Sequence, residues 1–158
     1  MGIGFAIITC SDTRGIAEDT AGQALEELVT KHTDWVVKSH VVVKDDRVAI
    51  REAIIAAADT GEVDIVITCG GTGLSPRDVT PEATKDACER DVPGIAEAMR
   101  IHSLAITGRA MLSRAVCMQR GKTLVINFPG SLKAAQENWE GTEEQFEHAV
   151  DMAAGKGH

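Results

Sequence analysis

Three short apolar runs, rich in β-branched residues, constrain the fold of this chain more than any other feature. They are GFAIITC (4–10), VDIVITC (63–69) and TLVIN (123–127). Runs without regular polar alternation are typical of strands that are buried on both faces. WVVKSHVVV (35–43) and residues 114–118 are two further candidate strands. Because helical segments separate most of these runs, we expect an α/β fold. It would be a three-layer α/β/α sandwich with a mostly parallel sheet, formed by a single domain over residues 1–158.

Capping residues mark where the predicted helices begin. Asp19 precedes a helical segment over 20–32, and Thr80-Pro81 has the form of an N-cap followed by proline at the first helical position. Gly22 lies inside the first helix, where glycine is unfavourable, so we expect close packing or the close approach of a ligand there. Four further helices are predicted. One begins at Asp45 or Asp46 and ends at Gly61, the second runs from Pro93-Gly94 through Ile101, the third from Ser131 through Trp139, and the fourth spans 143–154. Residues 155–158 are expected to form a frayed tail.

Charge and cysteine use argue against several classes of partner. The chain has 16 basic and 24 acidic residues, and this net charge of −8 disfavours binding to nucleic acid or to an anionic membrane. No apolar run is long enough to span a membrane, and the first residues lack the pattern of a signal peptide. None of the five histidines has ligand spacing, so we assign none of them to chemistry. The cysteines are widely spaced, without a CxxC pair, which is typical of reduced and mostly buried thiols in a cytoplasmic protein: Cys10, Cys69, Cys88 and Cys117.

Polar and glycine-rich segments follow four of the predicted strands. Ser11-Asp12-Thr13 follows the first, Asp45-Asp46 the second, Gly70-Gly71-Thr72-Gly73 the third, and Pro129-Gly130-Ser131 the last. Ligands of parallel α/β sheets bind outside the carboxyl ends of the strands, where loops and helix N-termini meet. The sequence therefore predicts that these four segments form one binding site.

The glycine segment and two aspartates indicate a site for a phosphate and a cation. Glycines after a buried strand let backbone N–H groups turn toward an anion, although GGTG is also compatible with a tight turn that holds no ligand. The segment is neither a Walker A loop nor a GxGxxG fingerprint. Asp78 could simply cap a helix, but Thr80 is available for that role, which leaves Asp78 to face the loop edge. Since Mg²⁺ combines one or two carboxylates with phosphate oxygens, Asp45 and Asp78 are its predicted ligands.

A second group of residues extends the anion-binding pattern. Gly130 permits close approach, Ser131 opens a helix whose N–H groups point outward, and Lys133 adds a positive charge. Ser113-Arg114 lies between two apolar stretches, where the alternative is a surface turn. The local cations that offset the acidic total are Arg14, Arg77, Arg114 and Lys133.

Taken together, these motifs resemble one family. GGTGLSPRDVTPEAT (70–84), MLSRAV (111–116), RGKTLVINFPGS (120–131), SDT (11–13) and EDTAG (18–22) are similar to motifs of the Mog/MoaB family of molybdenum-cofactor biosynthesis, in the same order. The likeness is strongest to its molybdopterin adenylyltransferases, which include the G domain of gephyrin. The resemblance implies a three-layer α/β homotrimer that transfers AMP from ATP to the terminal phosphate of molybdopterin, with Mg²⁺ as cofactor and release of pyrophosphate.

The resemblance also implies roles for individual residues. Asp45 and Asp78 match two aspartates tied to Mg²⁺ and turnover, and they are the expected catalytic and metal-binding residues. Leu132 stands where proline is common, and Cys69 replaces a usual threonine. Lys44 stands where proline commonly precedes the first aspartate, which leaves open how rigid this loop is. The expected substrate- and nucleotide-binding residues are Ser11, Asp12, Gly70, Gly71, Thr72, Gly73, Arg77, Thr80, Ser113, Arg114, Pro129, Gly130, Ser131 and Lys133.

Three other functions compete with this interpretation. The fold could bind molybdopterin or serve as a scaffold without turnover, as gephyrin's use in assembly illustrates. A MoaB-type paralogue with weak or different activity is also compatible with the motifs, although SPRDVTPEATKDACERDVPG (75–94) and LSR (112–114) are closer to the adenylyltransferases. A small kinase is disfavoured by the missing Walker lysine.

Overall fold

One mixed sheet lies at the centre of the protein. The computed structural model describes residues 2–156, so the last two residues of the predicted frayed tail lie outside the described part. Six strands of this part form the sheet, in the order β2-β1-β3-β6-β5-β4. The four strands β2, β1, β3 and β6 are parallel, whereas β5 and β4 pair antiparallel at one edge. The strands are β1 (Ile3–Cys10), β2 (Trp35–Val43), β3 (Ile65–Cys69), β4 (Arg90–Asp91), β5 (Cys117–Arg120) and β6 (Thr123–Phe128).

Helices cover both faces of the sheet and confirm the predicted sandwich. Alternate residues of β1 enter different cores: Phe5 and Ile7 belong to one, and Ala6 and Ile8 to the other. The first core receives the apolar faces of α1, α4, α5 and α6, and the second receives those of α2 and α3. The three continuous apolar runs therefore have the physical cause expected, because β1, β3 and β6 are buried along their whole length. The helices are α1 (Thr20–Thr30), α2 (Arg47–Ala58), α3 (Thr80–Ala87), α4 (Pro93–Leu104), α5 (Leu132–Glu140) and α6 (Phe146–Ala153).

Three of the predicted helix caps are confirmed. Asp19 accepts a hydrogen bond from Gly22 N, Asp46 from Ala49 N, and Ser131 from Ala134 N. Gly22 also has the predicted packing role, because a β-carbon there would collide with the side chain of Asp19. Asp46 therefore caps α2, which leaves Asp45 free of that role.

The predicted cap at Thr80 is wrong. Val79 occupies the N-cap position of α3, Thr80 is the first helical residue, and no side chain caps this end. The backbone N–H of Thr80 donates instead to Gly71 O at 3.1 Å, so the glycine loop satisfies the helix end. A local capping rule fails here because a tertiary contact supplies the acceptor.

The predicted strand at 114–118 begins later, at Cys117. Arg114 N donates to Thr72 O at 2.9 Å, and Val116 N donates to the side-chain Oδ1 of Asn127 at 3.2 Å. Val116 O still accepts from Asn127 N of β6 at 3.0 Å, but the regular pairing with β6 begins only at Cys117. Other boundaries differ from the predictions by a few residues, and 3-10 turns occupy Ile16–Glu18, Gly108–Leu112 and Glu143–Gln145.

Candidate functional site

The four polar loops converge at one end of the sheet, as the sequence predicted. β1 lies between β2 and β3, so the loops after β1 and β3 leave neighbouring strands in opposite directions around a topological switch point. Gly70 N donates to Phe128 O at 2.9 Å, which joins the glycine loop to the last strand. Arg14 Nη1 donates to Gly130 O at 3.0 Å, which joins the first loop to the last one.

Two glycines allow this close approach. Gly70 has a φ of +106°, and a β-carbon there would lie 2.7 Å from the backbone oxygen of Cys10. A β-carbon at Gly130 would lie 3.2 Å from the Cα atom of Gly70. A side chain at Gly70 would therefore push the loop after β3 away from the end of β1, and one at Gly130 would push the loop after β6 away from the loop after β3.

Two cavities adjoin along the glycine loop and divide many of the predicted site residues between them. The smaller one, here the rim cavity, has a volume of about 340 Å³, and the larger one, here the side cavity, about 470 Å³. Both are lined by Thr72 and Gly73. The rim cavity is further lined by the predicted residues Ser11, Gly70, Gly71, Asp78 and Gly130, and the side cavity by Ser113, Pro129, Ser131 and Lys133.

The remaining predicted residues stand behind the loops. Asp12, Asp45, Arg77, Thr80 and Arg114 do not line either cavity. Each contacts the glycine loop or a loop beside it through hydrogen bonds or packing. The structure thus separates residues that face the cavities from residues that hold the cavity walls.

Asp45 and Asp78 lie on the same rim, beside alternate residues of the glycine loop. A β-carbon at Gly71 would lie 3.2 Å from Asp45 Oδ1, and one at Gly73 would lie 2.9 Å from Asp78 Oδ2. Burial raises the pKa of the Asp45 carboxyl, and the negative charges of Asp12 and Asp78 add to the rise. Two carboxylates from separate loops therefore concentrate negative charge at one place.

Two oxygen atoms beside Gly71 make no hydrogen bond within residues 2–156. They are Asp45 Oδ1 and the hydroxyl oxygen of Thr80, and both are shielded from solvent. Buried polar atoms are nearly always paired, so an unpaired carboxylate oxygen is an acceptor still available to a cation or a donor. Asp78 is committed on one oxygen only, since its Oδ2 accepts from Ser75 N at 3.0 Å.

The donor set at this rim fits Mg²⁺. No group of three or more histidine, cysteine or acidic side chains within residues 2–156 is arranged to enclose a metal ion. Mg²⁺ does not need such an enclosure, because it commonly binds one or two carboxylates and takes its other ligands from phosphates and water. The free oxygen of Asp45 and the carboxylate of Asp78 meet that requirement.

Arg114 braces the glycine loop from behind. Its guanidinium donates to Gly73 O at 2.8 Å, to Asp78 O at 2.7 Å, and to both oxygens of Glu82, at 2.7 and 3.2 Å. The pairing holds the pKa of the Glu82 carboxyl below its usual range. All these bonds are to protein atoms, so the expected binding of substrate by Arg114 stays a prediction, and Glu82 was not predicted as its partner.

A buried amide behind the site was also missed. Asn127 donates from Nδ2 to the hydroxyls of Thr68 and Thr84, at 2.9 Å each, and so joins β6, β3 and α3. Thr84 in turn donates to Thr80 O at 2.9 Å. The sequence contained a signal for this role, because a polar residue within an apolar run needs buried partners.

His40 belongs to a second buried network, although no histidine was assigned a role. Its Nε2 lies 2.7 Å from Asp19 Oδ2, its Nδ1 lies 3.3 Å from Glu26 Oε1, and Thr9 donates to Asp19. The network ties β1 and β2 to the start of α1. No ligand spacing in the sequence marks it, since its members come from three separate elements.

This fold and site define an α/β protein that binds a small ligand at the carboxyl ends of its parallel strands. Residues 6–148 match the family model described as "Probable molybdopterin binding domain". The chain belongs to this family, and the resemblance to the Mog/MoaB proteins is confirmed.

Curated relatives and solved structures agree with the family assignment. The chain is 36% identical over 156 residues to the "Molybdopterin adenylyltransferase" of Helicobacter pylori, covering 97% of this chain and 89% of the relative. It is 40% identical over 132 residues to "Molybdenum cofactor biosynthesis protein B" of Bacillus cereus, covering 82% and 78%. The crystal structure of the molybdopterin biosynthesis enzyme MoaB of Thermus thermophilus superposes with a TM-score of 0.89, at 40% identity and 98% coverage of both chains.

Residues 2–156 contain no helix that is both long and apolar enough to cross a membrane. All four cysteines are free, and three of them are buried, in line with the expected reduced thiols.

Proposed function

We propose that the protein is a molybdopterin adenylyltransferase, which transfers AMP from ATP to the terminal phosphate of molybdopterin and releases pyrophosphate. The observation that carries the proposal is the position of Asp45 and Asp78 beside the glycine loop: Asp78 lines the rim cavity, and Asp45 lies behind the loop against Gly71. The name of the Helicobacter pylori relative, aligned over 97% of this chain, supports the same activity.

The two cavities suit the two parts of such a reaction. The rim cavity offers backbone groups of the glycine loop and the side chain of Arg14, which are donors for phosphate oxygens. The side cavity has apolar walls that include Met99 and Ile106, and its volume of about 470 Å³ is in the range of small-molecule pockets. We assign phosphates to the rim cavity and a ring system to the side cavity.

Positioning supplies most of the catalysis in this mechanism. The phosphate of molybdopterin attacks the α-phosphorus of ATP, a new P–O bond forms, and the bond to pyrophosphate breaks, so no protein nucleophile is required. Mg²⁺, when bound at Asp45 and Asp78, supplies positive charge that offsets the phosphates and the leaving group. Arg114 keeps Gly73 and the Asp78 backbone in place through its hydrogen bonds.

An Asp78→Asn variant tests the proposal. The amide keeps the size of the side chain but loses its charge, so we expect pyrophosphate release from ATP and molybdopterin to fall about 100-fold or more. Asp59→Asn, which removes an exposed ion pair with Arg120 away from both cavities, is the matched control and should keep wild-type activity. Activity of Asp78→Asn near that of the wild type would remove Asp78 from the mechanism.

A second candidate is a MoaB-type protein that binds molybdopterin or acts as a scaffold with little adenylylation. It is favoured by the 40% identity to proteins named for MoaB or protein B. Wild-type protein that binds molybdopterin but transfers no AMP from ATP would establish this alternative.

The homotrimer and the cytoplasmic location remain predictions. Large apolar side chains are exposed on the second half of α4 and on the turn after it, which is the kind of surface that subunit contacts bury. Light scattering of the full chain measures the oligomer, and a monomer at micromolar concentration would contradict a trimer. The exposed residues are Ile101, Leu104, Ile106, Met111 and Leu112.

A further inference from the structure

Asp12 lies at the rim, but its carboxylate is already committed to the protein. Its Oδ1 accepts from Arg77 Nη2 at 2.8 Å and from Asp45 N at 3.1 Å, and its Oδ2 accepts from Arg77 Nε at 2.9 Å. This two-point pairing with Arg77 holds the pKa of the Asp12 carboxyl below its usual range. A bidentate pair of this kind fixes geometry as well as charge.

Asp12 also acts directly on the orientation of Asp45. While Asp45 N donates to Asp12 Oδ1, Asp12 N donates to Asp45 Oδ2 at 3.1 Å. The two residues thus hold each other through a reciprocal pair of hydrogen bonds between the loops after β1 and β2. Asp45 keeps one uncommitted oxygen, Oδ1, and that atom faces Gly71.

Lys44 adds a third bond to the same assembly. Its ammonium group donates to Asp12 O at 2.9 Å, across from the loop after β2 to the loop after β1. In this chain, therefore, a side chain bonded to the neighbouring loop precedes Asp45. The sequence left open how rigid the loop after β2 is, and this bond from Lys44 to Asp12 O holds that loop against the loop after β1.

We propose that Asp12 is a positioning residue for Asp45, and that Arg77, Asp12 and Lys44 form an electrostatic brace which leaves Asp45 Oδ1 as its single metal-binding oxygen. The proposal rests on the metal role of Asp45 in the proposed function. It assigns to Asp12 no direct contact with metal or substrate, because both oxygens of its carboxylate already accept from Arg77.

Binding of Mn²⁺, followed by the EPR signal of the free ion, tests the brace in the full chain without any substrate. Arg77→Gln removes a positive charge near the cation site, so attraction between charges alone would tighten Mn²⁺ binding. The brace predicts the opposite sign: affinity falls about tenfold, as when a partner that orients a metal ligand is lost. Tighter binding, or unchanged binding, would overturn the proposal.

A double-mutant cycle separates positioning from direct ligation. Asp12→Asn can still accept from Asp45 N but cannot receive the guanidinium fork, so it is expected to weaken Mn²⁺ binding about as much as Arg77→Gln. The double variant should be no weaker than either single variant, because both remove the same pair. Additive losses would show that Asp12 binds the metal itself and would contradict the brace. Lys44→Met should weaken binding by a smaller factor, whereas Lys44→Arg should not.

Arg120→Gln is the matched control, because Arg120 also makes a two-point pair, with Asp59, and carries the same charge. It should leave Mn²⁺ affinity unchanged. The exposed Arg77–Asp12 pair contributes little to stability, so the brace variants should melt within about 3 °C of the wild type. A wild-type protein that binds no Mn²⁺ would refute the brace. A protein that shows the predicted Mn²⁺ pattern but transfers no AMP would refute the proposed function and leave the brace standing.

Discussion

A Gly70→Ala substitution probes the contact on which the whole site depends. A β-carbon at this position would lie 2.7 Å from the backbone oxygen of Cys10, and the backbone φ of +106° is unfavourable for alanine. The conformational strain costs about 1–2 kcal/mol. The steric overlap costs about 1–3 kcal/mol more, since a backbone carbonyl in β1 has little room to move. We expect a total loss of about 2–5 kcal/mol in the free energy of unfolding.

Urea unfolding followed by circular dichroism measures this loss, and Gly121→Ala is the control. Gly121 also has a positive φ, +55°, but a β-carbon there meets nothing within 4 Å. Gly121→Ala therefore introduces backbone strain but no steric overlap. Alanine also lowers the conformational entropy of the unfolded chain, which offsets part of that strain, so we expect the free energy of unfolding to fall by about 1 kcal/mol. Equal losses in the two variants would refute the claim that loop contact, rather than backbone strain, requires glycine at position 70.

Three further predictions concern buried polar groups and thiols. Asn127→Ala leaves Val116 N–H without its acceptor and should lower the free energy of unfolding by about 2–4 kcal/mol, measured by urea unfolding; a loss below about 1 kcal/mol would contradict the network. Because folding raises the pKa of the Asp45 carboxyl, its ionised form opposes folding at neutral pH. Asp45→Asn should therefore raise the melting temperature at pH 7, by an amount that vanishes below the ordinary carboxyl pKa of 3.8; a lower melting temperature at pH 7 would contradict this. Burial raises the pKa of each of the four thiols to about 12. They should therefore react slowly with a disulfide reagent at pH 8, and the half-buried Cys88 should react first. Rapid labelling of the native protein would contradict this prediction.

The sequence predicted the architecture well because its signals are local and repeated. Continuous apolar runs gave the buried strands, and Asp19, Asp46 and Ser131 cap their helices through backbone atoms only three residues away. The strand ends then placed four polar loops at one edge, since parallel strands share a direction. Family resemblance pointed to the same loops and is confirmed by the family match.

Partners of side chains could not be predicted in the same way. Arg77 and Arg114 were both expected to contact substrate, yet Arg77 pairs with Asp12, 65 residues away, and Arg114 pairs with Glu82, 32 residues away. The substrate contacts of Arg77 and Arg114 stay predictions, whereas the expected cap at Thr80 is wrong, because Gly71 supplies the acceptor. Such pairings depend on which loops the sheet order brings together, and many residues of the right type compete for them.

The amino-acid sequence by itself determined the layers, the strand ends and the identity of the loops that carry chemistry, because these follow from hydrophobic period and turn residues along the chain. Only the tertiary structure decided which polar atoms at those loops are already bonded and which remain available. Asp12 and Asp45 are both aspartates in a loop that directly follows a strand. The fold pairs the carboxylate of Asp12 with Arg77, whereas it leaves one oxygen of Asp45 without a hydrogen bond. Hydrogen bonding between distant segments makes that distinction, and it arises only when the loops meet.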